Sequence, residues 1–374
     1  MKKPLFLILI FAPFVLALAS CNDAIFYIVS QETAILDPLI NGAPSNFAVA
    51  NINSINAMYA ASGRNIWRYH DKSWHSVPFT IPGKIYITRL AATGPNLFAL
   101  YVDSSGTGRV ANYNITGWTE LPPTLYNNAQ AIFTADGNLF ICSRPADAVS
   151  DIYNIYVTTD GTNLSSIKSG VKYLNGVALD GTTYYLCTKG GIYSGTNINS
   201  LGFISDSDKE FTGIINISPG FTVAITRGGE LYKISLTSVG TPIASFSGNR
   251  LSTGALAVWE NPTNSSEKLL LAGRQDSLIY STDSGYTYGY LEIELDTNSI
   301  KSGETFKEPG SGGLSTVSDN ARYVSSIGKH PINHIFQSKG LTNDNVMILF
   351  ASTQKRGVWA YRERNGTLQW NAEE

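Results

Sequence analysis

The sequence predicts an all-β protein that is built from repeated small sheets. Short apolar runs recur along the chain, and each is followed by a break and then by a short strand that carries an aromatic residue. Most repeats are roughly forty residues long, which is the period of a four-stranded propeller blade. Such a repeat cannot bury its own faces, and radial stacking of its copies closes a ring. We therefore predict a seven-bladed β-propeller of four-stranded antiparallel blades. The aromatic-bearing strands have the cores Ile66-Trp67, Ala111-Asn112-Tyr113, Ile155-Tyr156, Ile192-Tyr193, Leu231-Tyr232, Ile279-Tyr280 and Val358-Trp359.

The strand that precedes each aromatic-bearing strand is a near-continuous apolar run. Both faces of such a run are expected to be covered, as they are for a middle strand between two neighbouring blades. We therefore predict that these runs are second strands and that the aromatic-bearing strands are third strands. The predicted second strands are Ala57–Ala61, Leu97–Tyr101, Leu139–Cys142, Tyr184–Cys187, Thr222–Ile225, Leu269–Ala272 and Met347–Phe350.

The first two blades are predicted to end in similar outer hairpins. Tyr69 lies five residues before Trp74, Tyr113 lies five residues before Trp118, and a proline follows shortly after each tryptophan. A cross-strand aromatic pair stabilises a hairpin, and proline stops an edge strand. The two segments are therefore predicted to fold alike.

Composition limits the classes of function. Of the 374 residues, 15% are charged and the formal net charge is −2, which excludes the basic character of a nucleic-acid binder. The length suits two ordinary domains or one large repeat domain, and the repeat favours one. Gly, Asn, Ser and Thr lie between the apolar runs, as in all-β proteins.

The N-terminus has the features of a secretory signal peptide. Lys2 and Lys3 precede an apolar stretch from Pro4 to Leu18, which is short for a membrane span. The sequence Leu-Ala-Ser-Cys that ends at Cys21 resembles a bacterial lipobox, with serine in place of the commoner Gly or Ala. The resemblance implies a lipoprotein in which Cys21 is the lipid-attachment site and carries acyl chains such as palmitate. The alternative is an ordinary signal peptide that a cysteine happens to follow.

We therefore divide the chain into residues 1–20 as a signal peptide, 21–44 as a tether and 45–374 as the propeller. The tether contains Ala24–Val29, a candidate strand that would close the ring by joining the last sheet. The interval between Tyr280 and Trp359 is about twice the usual one, and residues 296–330 are predicted to be a loop insertion. A degenerate eighth blade is the alternative.

The two other cysteines, Cys142 and Cys187, fall in corresponding strands of neighbouring repeats. Such strands lie about 10 Å apart, whereas a disulfide needs Cα atoms within about 7 Å. We therefore predict two buried free thiols.

Two short segments resemble known propeller repeats. Residues 281–288 resemble the Asp-box, in which the aspartate caps a turn, the glycine takes a positive φ and the aromatic residue packs into the next layer. The structural positions are Ser281, Asp283, Gly285 and Tyr288, with tyrosine in place of the usual tryptophan. Thr158–Gly161 is a fainter echo. Asp-boxes occur in sialidases, in sortilin-like receptors and in non-catalytic binding proteins, so they indicate fold and not activity.

Val358–Trp370 resembles one repeat of the pyrroloquinoline-quinone-type propellers. Arg362 and Asn365 replace the usual Asp and Thr, and we therefore predict no cofactor. At the family level the sequence looks like a bacterial β-propeller lipoprotein.

A cation follows the predicted second strand in six of the repeats, and Arg109 precedes the third strand in the remaining one. A ring of cations at one face would attract a carboxylate, a phosphate or an acidic protein surface. The alternative is that these cations are solvated tips of hairpins. The six candidate anion-binding residues are Arg64, Arg144, Lys189, Arg227, Arg274 and Arg356.

Other chemistry has weaker support in the sequence. A sialidase would need three arginines, a Tyr–Glu pair and an acidic residue, and no single tyrosine stands out. Pro331 separates His330 from His334, and Phe211 stands where a calcium loop begun at Asp206 needs glycine. We predict no metal site and no catalytic residue.

We therefore expect a monomeric, lipid-anchored protein of the cell envelope that works by binding. Its expected partner is another envelope protein or an acidic glycan, held at one propeller face. A glycan-active hydrolase and a scaffold for outer-membrane protein assembly are the alternatives. The sequence leaves open which membrane and which side of it the protein occupies.

Overall fold

The computed structural model describes an all-β chain with one short 3₁₀ helix, Pro123–Leu125. Its strands form antiparallel sheets of four, and each sheet takes its strands in chain order. The described residues are 40, 42–148, 150–205, 209–245, 249–261, 264–277, 290–296, 299–300, 331–338, 341, 347–354, 357–364 and 367–373.

Sheets 1 to 4 contain the following strands. Sheet 1 has β1 (Ala48–Ile52), β2 (Ile55–Ser62), β3 (Asn65–His70) and β4 (Ser73–Val77). Sheet 2 has β5 (Lys84–Thr93), β6 (Asn96–Asp103), β7 (Gly108–Asn114) and β8 (Gly117–Glu120). Sheet 3 has β9 (Asn128–Ala135), β10 (Asn138–Arg144), β11 (Tyr153–Thr158) and β12 (Ser165–Val171). Sheet 4 has β13 (Leu174–Asp180), β14 (Thr183–Thr188), β15 (Gly191–Gly195) and β16 (Gly202–Phe203).

Sheets 5 to 7 complete the order. Sheet 5 has β17 (Phe211–Ser218), β18 (Phe221–Thr226), β19 (Glu230–Ile234) and β20 (Val239–Ser245). Sheet 6 has β21 (Asn249–Asn261), β22 (Asn264–Ser277), β23 (Tyr290–Asp296) and β24 (Ser299–Ile300). Sheet 7 has β25 (Ile332–Gln337), β26 (Leu349–Thr353), β27 (Val358–Arg364) and β28 (Thr367–Ala372).

Six of these sheets are continuous four-stranded blades, and sheet 6 is less regular. In sheet 6, β24 pairs with β23 as a separate ladder of two residue pairs, and the register between β21 and β22 shifts three times. The first strands of successive sheets contact one another, from β1 and β5 through to β21 and β25. The first strands are therefore innermost and surround the ring axis. The predicted propeller of four-stranded antiparallel blades is confirmed.

The predicted second strands overlap β2, β6, β10, β14, β18, β22 and β26. The last of them begins at Leu349, two residues later than predicted. Their apolar residues form the buried layers between adjacent sheets, as the near-continuous hydrophobic runs predicted. Hydrophobic burial on both faces explains why these runs lack the alternation of a half-exposed strand.

One predicted third strand was wrong. The third strand of sheet 6 is β23, which begins at Tyr290, and the predicted core Ile279-Tyr280 lies outside the described residues. The reason is the length of β22, which continues 14 residues to Ser277. The segment from about 296 to 330, which is predicted to be a loop insertion, contains β24 near its start, where Ser299 pairs with Asp296 of β23.

Both cysteines of the ring are free and buried, as predicted. Cys142 lies in β10 and Cys187 in β14, the second strands of adjacent sheets. Burial raises the pKa of Cys142 to about 12 and also raises the pKa of Cys187, so neither thiol ionises in the folded protein.

Several predictions fall outside the described residues. They are Cys21, the strand Ala24–Val29, the Asp-box of residues 281–288, Asp206, and the loop 301–330. None of the described residues belongs to a helix with the length and hydropathy that a membrane span requires.

Candidate binding site

The turns between second and third strands share one end of the blades with the connections between sheets. This follows from the antiparallel order, because the chain returns to the same end after every second strand. We call this end, with its second-to-third turns and sheet connections, the connector end. Contacts across it include Ile87 N, which donates to Gly63 O at 2.7 Å.

Two of the predicted cations lie singly at the connector end. Arg64 follows β2, is exposed, and donates from Nε to the carbonyl of Ile85 at 2.8 Å. Arg144 ends β10, is exposed, and has one long hydrogen bond of 3.4 Å from Nη2 to the carbonyl of Ala148.

Two others meet on one carboxylate. Lys189 Nζ lies 3.9 Å from Glu210 Oε1, and Arg227 Nη1 lies 3.3 Å from Glu210 Oε2. These exposed pairs contribute little to stability, but they neutralise part of the positive charge. The side chain of Arg274 and the whole of Arg356 lie outside the described residues. The convergence of six cations at one face therefore remains a prediction.

An open groove of about 660 Å³ lies at the connector end between sheets 2 and 3. It contains Arg144 and also Arg109, and none of its lining residues is acidic. We call it the connector groove. It is lined by Thr107, Arg109, Pro123, Thr124, Asn127, Asn128, Arg144, Pro145, Ala146 and Ala148.

The groove lies over a tight junction between the two sheets. A Cβ on Gly108 would come within 1.7 Å of the Ala129 carbonyl oxygen, so only glycine fits there. The N–H of Gly108 donates to Asn128 Oδ1 at 2.8 Å, and the N–H of Val110 donates to the buried Tyr126 hydroxyl at 2.9 Å. Burial raises the pKa of Tyr126 to about 12, so its hydroxyl stays protonated. These bonds fix the backbone on both sides of Arg109.

The two arginines of the groove differ in electrostatics. Arg109 donates from Nε to Asp103 Oδ2 at 3.0 Å. Burial tends to raise the pKa of Asp103, but hydrogen bonds from its own turn and from Arg109 outweigh burial and hold the pKa well below its ordinary value. The same hydrogen bond raises the pKa of Arg109. Arg144 has no ion pair among the described residues and is therefore the uncompensated charge of the groove.

Thr158–Gly161, which weakly resembles an Asp-box, lies at the turn between β11 and β12. The backbone N–H groups of Thr162 and Asn163 donate to Asp160 Oδ1 at 2.8 and 3.0 Å, and these hydrogen bonds hold the pKa of Asp160 well below its ordinary value. Gly161 has a φ of 78°, and a Cβ there would lie 3.1 Å from the ring of Phe98 in sheet 2. The turn is therefore structural and joins two sheets.

A second cationic site, which we did not predict, lies at the ring axis. Arg89 is on β5, and its guanidinium carbon lies 4.0 Å from the centre of the Phe133 ring on β9. His334 on β25 and Tyr173 before β13 are its electrostatic neighbours. Arg89 follows no second strand, so the recurring pattern of cations gave no signal for it. The signal available was an arginine within the first strand of a repeat.

A Tyr–Glu pair exists in sheet 5, but its environment is unlike that of a nucleophile. The hydroxyl of Tyr232 donates to Glu230 Oε2 at 2.7 Å, and Lys209 Nζ lies 3.9 Å from the same oxygen. Tyr232 is 1% exposed, and burial raises its pKa, whereas a nucleophilic tyrosinate needs a lowered one. The described residues also contain no cluster of His, Cys, Asp or Glu suited to a metal ion.

Comparisons with known proteins show the fold. No protein-family model matches the chain, and no curated protein sequence matches it significantly. Similar solved structures include YCF48 bound to D1 peptide (10% identity, TM-score 0.54, 87% of this chain and 93% of that one). The extracellular domain of the putative one component system BT4673 from B. thetaiotaomicron is also similar (14% identity, TM-score 0.58, 88% and 40%). So is the GH74 enzyme of Niastella koreensis (15% identity, TM-score 0.57, 89% and 54%). The chain is therefore a β-propeller, and these similarities do not determine its function.

Proposed function

We propose that this protein is a lipid-anchored binding protein of the bacterial cell envelope, and that its connector groove holds an acidic segment of a protein partner. The observation that carries the proposal is Arg144, an exposed arginine with no ion pair in the description, in a groove without acidic lining residues. An arginine of this kind binds a carboxylate through charge-assisted hydrogen bonds.

The rest of the lining favours a peptide over a glycan. Pro123, Pro145 and Ala146 offer apolar surface beside Arg144, and the amide of Asn127 can bond a peptide backbone. No aromatic ring lines the groove, so a sugar ring would have no face on which to stack. YCF48, which shares the fold and was solved with D1 peptide, is a precedent for peptide binding by a propeller at the level of fold.

Binding of a labelled acidic peptide tests the proposal. A fluorescein-labelled peptide rich in Asp and Glu is titrated with the protein, and its anisotropy is followed beside that of its Asn and Gln counterpart. We expect binding of the acidic peptide alone, and weaker binding as salt increases, because exposed charges are screened within about 8–10 Å at physiological ionic strength. Arg144→Ala should weaken binding about 10- to 100-fold, the equivalent of one charge-assisted hydrogen bond.

Arg64→Ala is the matched control, because Arg64 is an exposed arginine at the same end but outside the groove. Equal losses in the two variants would mean that only overall charge matters, and the groove would be rejected. If the protein binds an acidic oligosaccharide and not the acidic peptide, the partner would be a glycan and not a protein.

Lipid anchoring of Cys21 is a separate part of the proposal. We expect the wild-type protein to partition into the detergent phase and Cys21→Ala to lose acylation. A processed but unmodified N-terminus at another residue would contradict the lipobox.

The seventh blade is also part of the proposal. We propose that sheet 6, despite its separate outer ladder, completes a seven-bladed ring. An experimental structure with six or eight sheets around the axis would reject this number.

A further inference from the structure

Arg89 occupies a place where four sheets meet. It lies on the innermost strand of sheet 2, with Phe133 from sheet 3, Tyr173 from sheet 4 and His334 from sheet 7 as neighbours. Residues from such distant sheets come together only at the ring axis. The Arg89 site, defined by these four residues, therefore lies near the ring axis.

The guanidinium of Arg89 is held in place but its hydrogen-bonding capacity is unused. Its Nε is buried and has no hydrogen-bond partner among the described residues. The guanidinium carbon lies 4.0 Å from the centre of the Phe133 ring, a cation–π contact that helps to hold the group in place. The next residue, Leu90, is fixed by two bonds to Asn46: its N–H donates to Oδ1 at 2.9 Å and its carbonyl accepts from Nδ2 at 2.7 Å.

The charge of Arg89 is also uncompensated. Its described electrostatic neighbours are Tyr173 and His334, and neither is negative at neutral pH. The Nδ1 of His334 accepts a hydrogen bond from Phe47 N at 3.3 Å, so the neutral ring carries its proton on Nε2 as a donor. Tyr173 donates to the carbonyl of Gln130 at 3.0 Å. Arg89 is half-buried, and its buried Nε lacks an acidic partner among the described residues, which is costly unless an anion pairs with it.

We propose that the Arg89 site binds a single carboxylate group near the ring axis. The planar guanidinium matches a carboxylate through two parallel hydrogen bonds, of which one would satisfy Nε. The aromatic ring of Phe133 beside it suits a ligand with an apolar body. The carboxylate comes either from a small organic acid or from the C-terminus of a peptide, and the two sources share this chemistry.

Ligand-observed NMR with benzoate tests the site. Benzamide, which has the same shape and no charge, is the matched control ligand. We expect the purified protein to bind benzoate with a dissociation constant on the order of 1 mM and to bind benzamide much more weakly. Equal binding of the two, or no binding of benzoate tenfold above that concentration, would overturn the proposal.

Arg89→Met keeps the length of the side chain and removes the charge. It should weaken benzoate binding at least about tenfold, whereas Arg144→Met in the connector groove should leave it unchanged. The two variants therefore separate a failure of this site from a failure of the proposed peptide groove. If Arg89→Met does not fold, the comparison of benzoate with benzamide on the wild-type protein still decides.

A short peptide distinguishes the two sources of carboxylate. Gly-Ser-Gly-Ala is compared in its free-acid and amidated forms. Binding of the free acid but not of the amide, together with loss on Arg89→Met, assigns the site to a chain terminus. Binding of benzoate without binding of the free-acid peptide assigns it to a small acid.

Discussion

The outer hairpins of sheets 1 and 2 share one sequence pattern but contact different parts of the ring. In sheet 1, Tyr69 and Trp74 are 0% and 7% exposed, and their rings lie 5.0 and 6.0 Å from Phe350 of sheet 7. In sheet 2, Tyr113 and Trp118 stack on each other at 4.9 Å and stay partly exposed. The first pair closes the ring, and the second covers the junction with the preceding sheet.

The indole N–H groups of the two tryptophans also have different partners. Trp74 Nε1 donates to Glu373 Oε2 at 3.0 Å, and that 2% exposed carboxylate also pairs with Arg362 at 3.0 Å. Trp118 Nε1 donates to the carbonyl of Pro78 at 2.9 Å, in the connection next to its own sheet.

We call the contact between sheets 7 and 1 the closing seam and the contact between sheets 1 and 2 the second seam. The closing seam also includes Phe47, whose ring lies 5.7 Å from His334 and 6.1 Å from Phe350. The same hairpin motif is therefore buried to different extents in the two sheets, and we expect its two copies to contribute differently to stability.

The largest expected difference between the seams is between Trp74→Ala and Trp118→Ala. Trp74→Ala should lower the free energy of unfolding by about 3–5 kcal/mol, because it empties a buried aromatic cluster. Trp118→Ala should lower the free energy of unfolding by about 1–2 kcal/mol, because Trp118 buries less apolar surface than Trp74 does. Urea denaturation measures both, and equal losses would mean that the closing seam has no special role.

Trp74→Phe isolates the polar part of the closing seam. It keeps an aromatic ring but removes one donor from the buried carboxylate of Glu373, which should cost about 1.5–3 kcal/mol. Trp118→Phe is the control and should cost about 0.5–1.5 kcal/mol, since it loses an ordinary bond to a carbonyl. Indistinguishable values would show that Glu373 does not depend on Trp74.

Acid should weaken the closing seam selectively. Burial, with a smaller contribution from Arg89, lowers the pKa of His334 from 6.5 to about 3. As the pH falls below about 6.5, His334 is protonated in the unfolded chain but stays neutral in the folded protein. The contribution of His334 to the free energy of unfolding is therefore complete above that pH and decreases toward pH 3. The loss is at most about 1.4 kcal/mol per pH unit, or about 2 kcal/mol at pH 5.

His334→Gln should flatten this part of the pH profile, and the exposed His75→Gln should not. Unfolding measured between pH 5 and 8 compares the three proteins. An unchanged slope in His334→Gln would mean that other groups cause the acid sensitivity.

The smallest effect is expected at the seam between sheets 3 and 4, where Cys142 and Cys187 form no disulfide. Because Cys142 and Cys187 are free, the midpoint of thermal unfolding should be the same with and without reductant. Both thiols should react with a maleimide after unfolding and stay unreactive before it. A loss of two hydrogens in the mass of the pair would reveal a disulfide and a seam unlike the others.

Local patterns determined much of this protein from the sequence alone. Apolar runs without alternation indicated the second strands, because a strand covered on both faces needs no polar side. The Tyr69–Trp74 and Tyr113–Trp118 pairs indicated hairpins, and the structure pairs both across strands. Corresponding positions in two repeats indicated that Cys142 and Cys187 are separate thiols. Each of these inferences uses residues within one or two repeats.

Only the tertiary structure decided which distant groups meet. Trp74 and Glu373 are 299 positions apart. Arg89 lies near enough to His334 to lower its pKa, because the first strands surround one axis. Lys189, Arg227 and Arg144 fit the same sequence pattern, but only Lys189 and Arg227 pair with Glu210, which neutralises part of their charge. Ring closure brings sheets 1 and 7 together, and no short-range spacing records that contact. The physical reason is that side-chain pairing across sheets depends on closure of the whole ring, whereas strands and turns depend on neighbours along the chain.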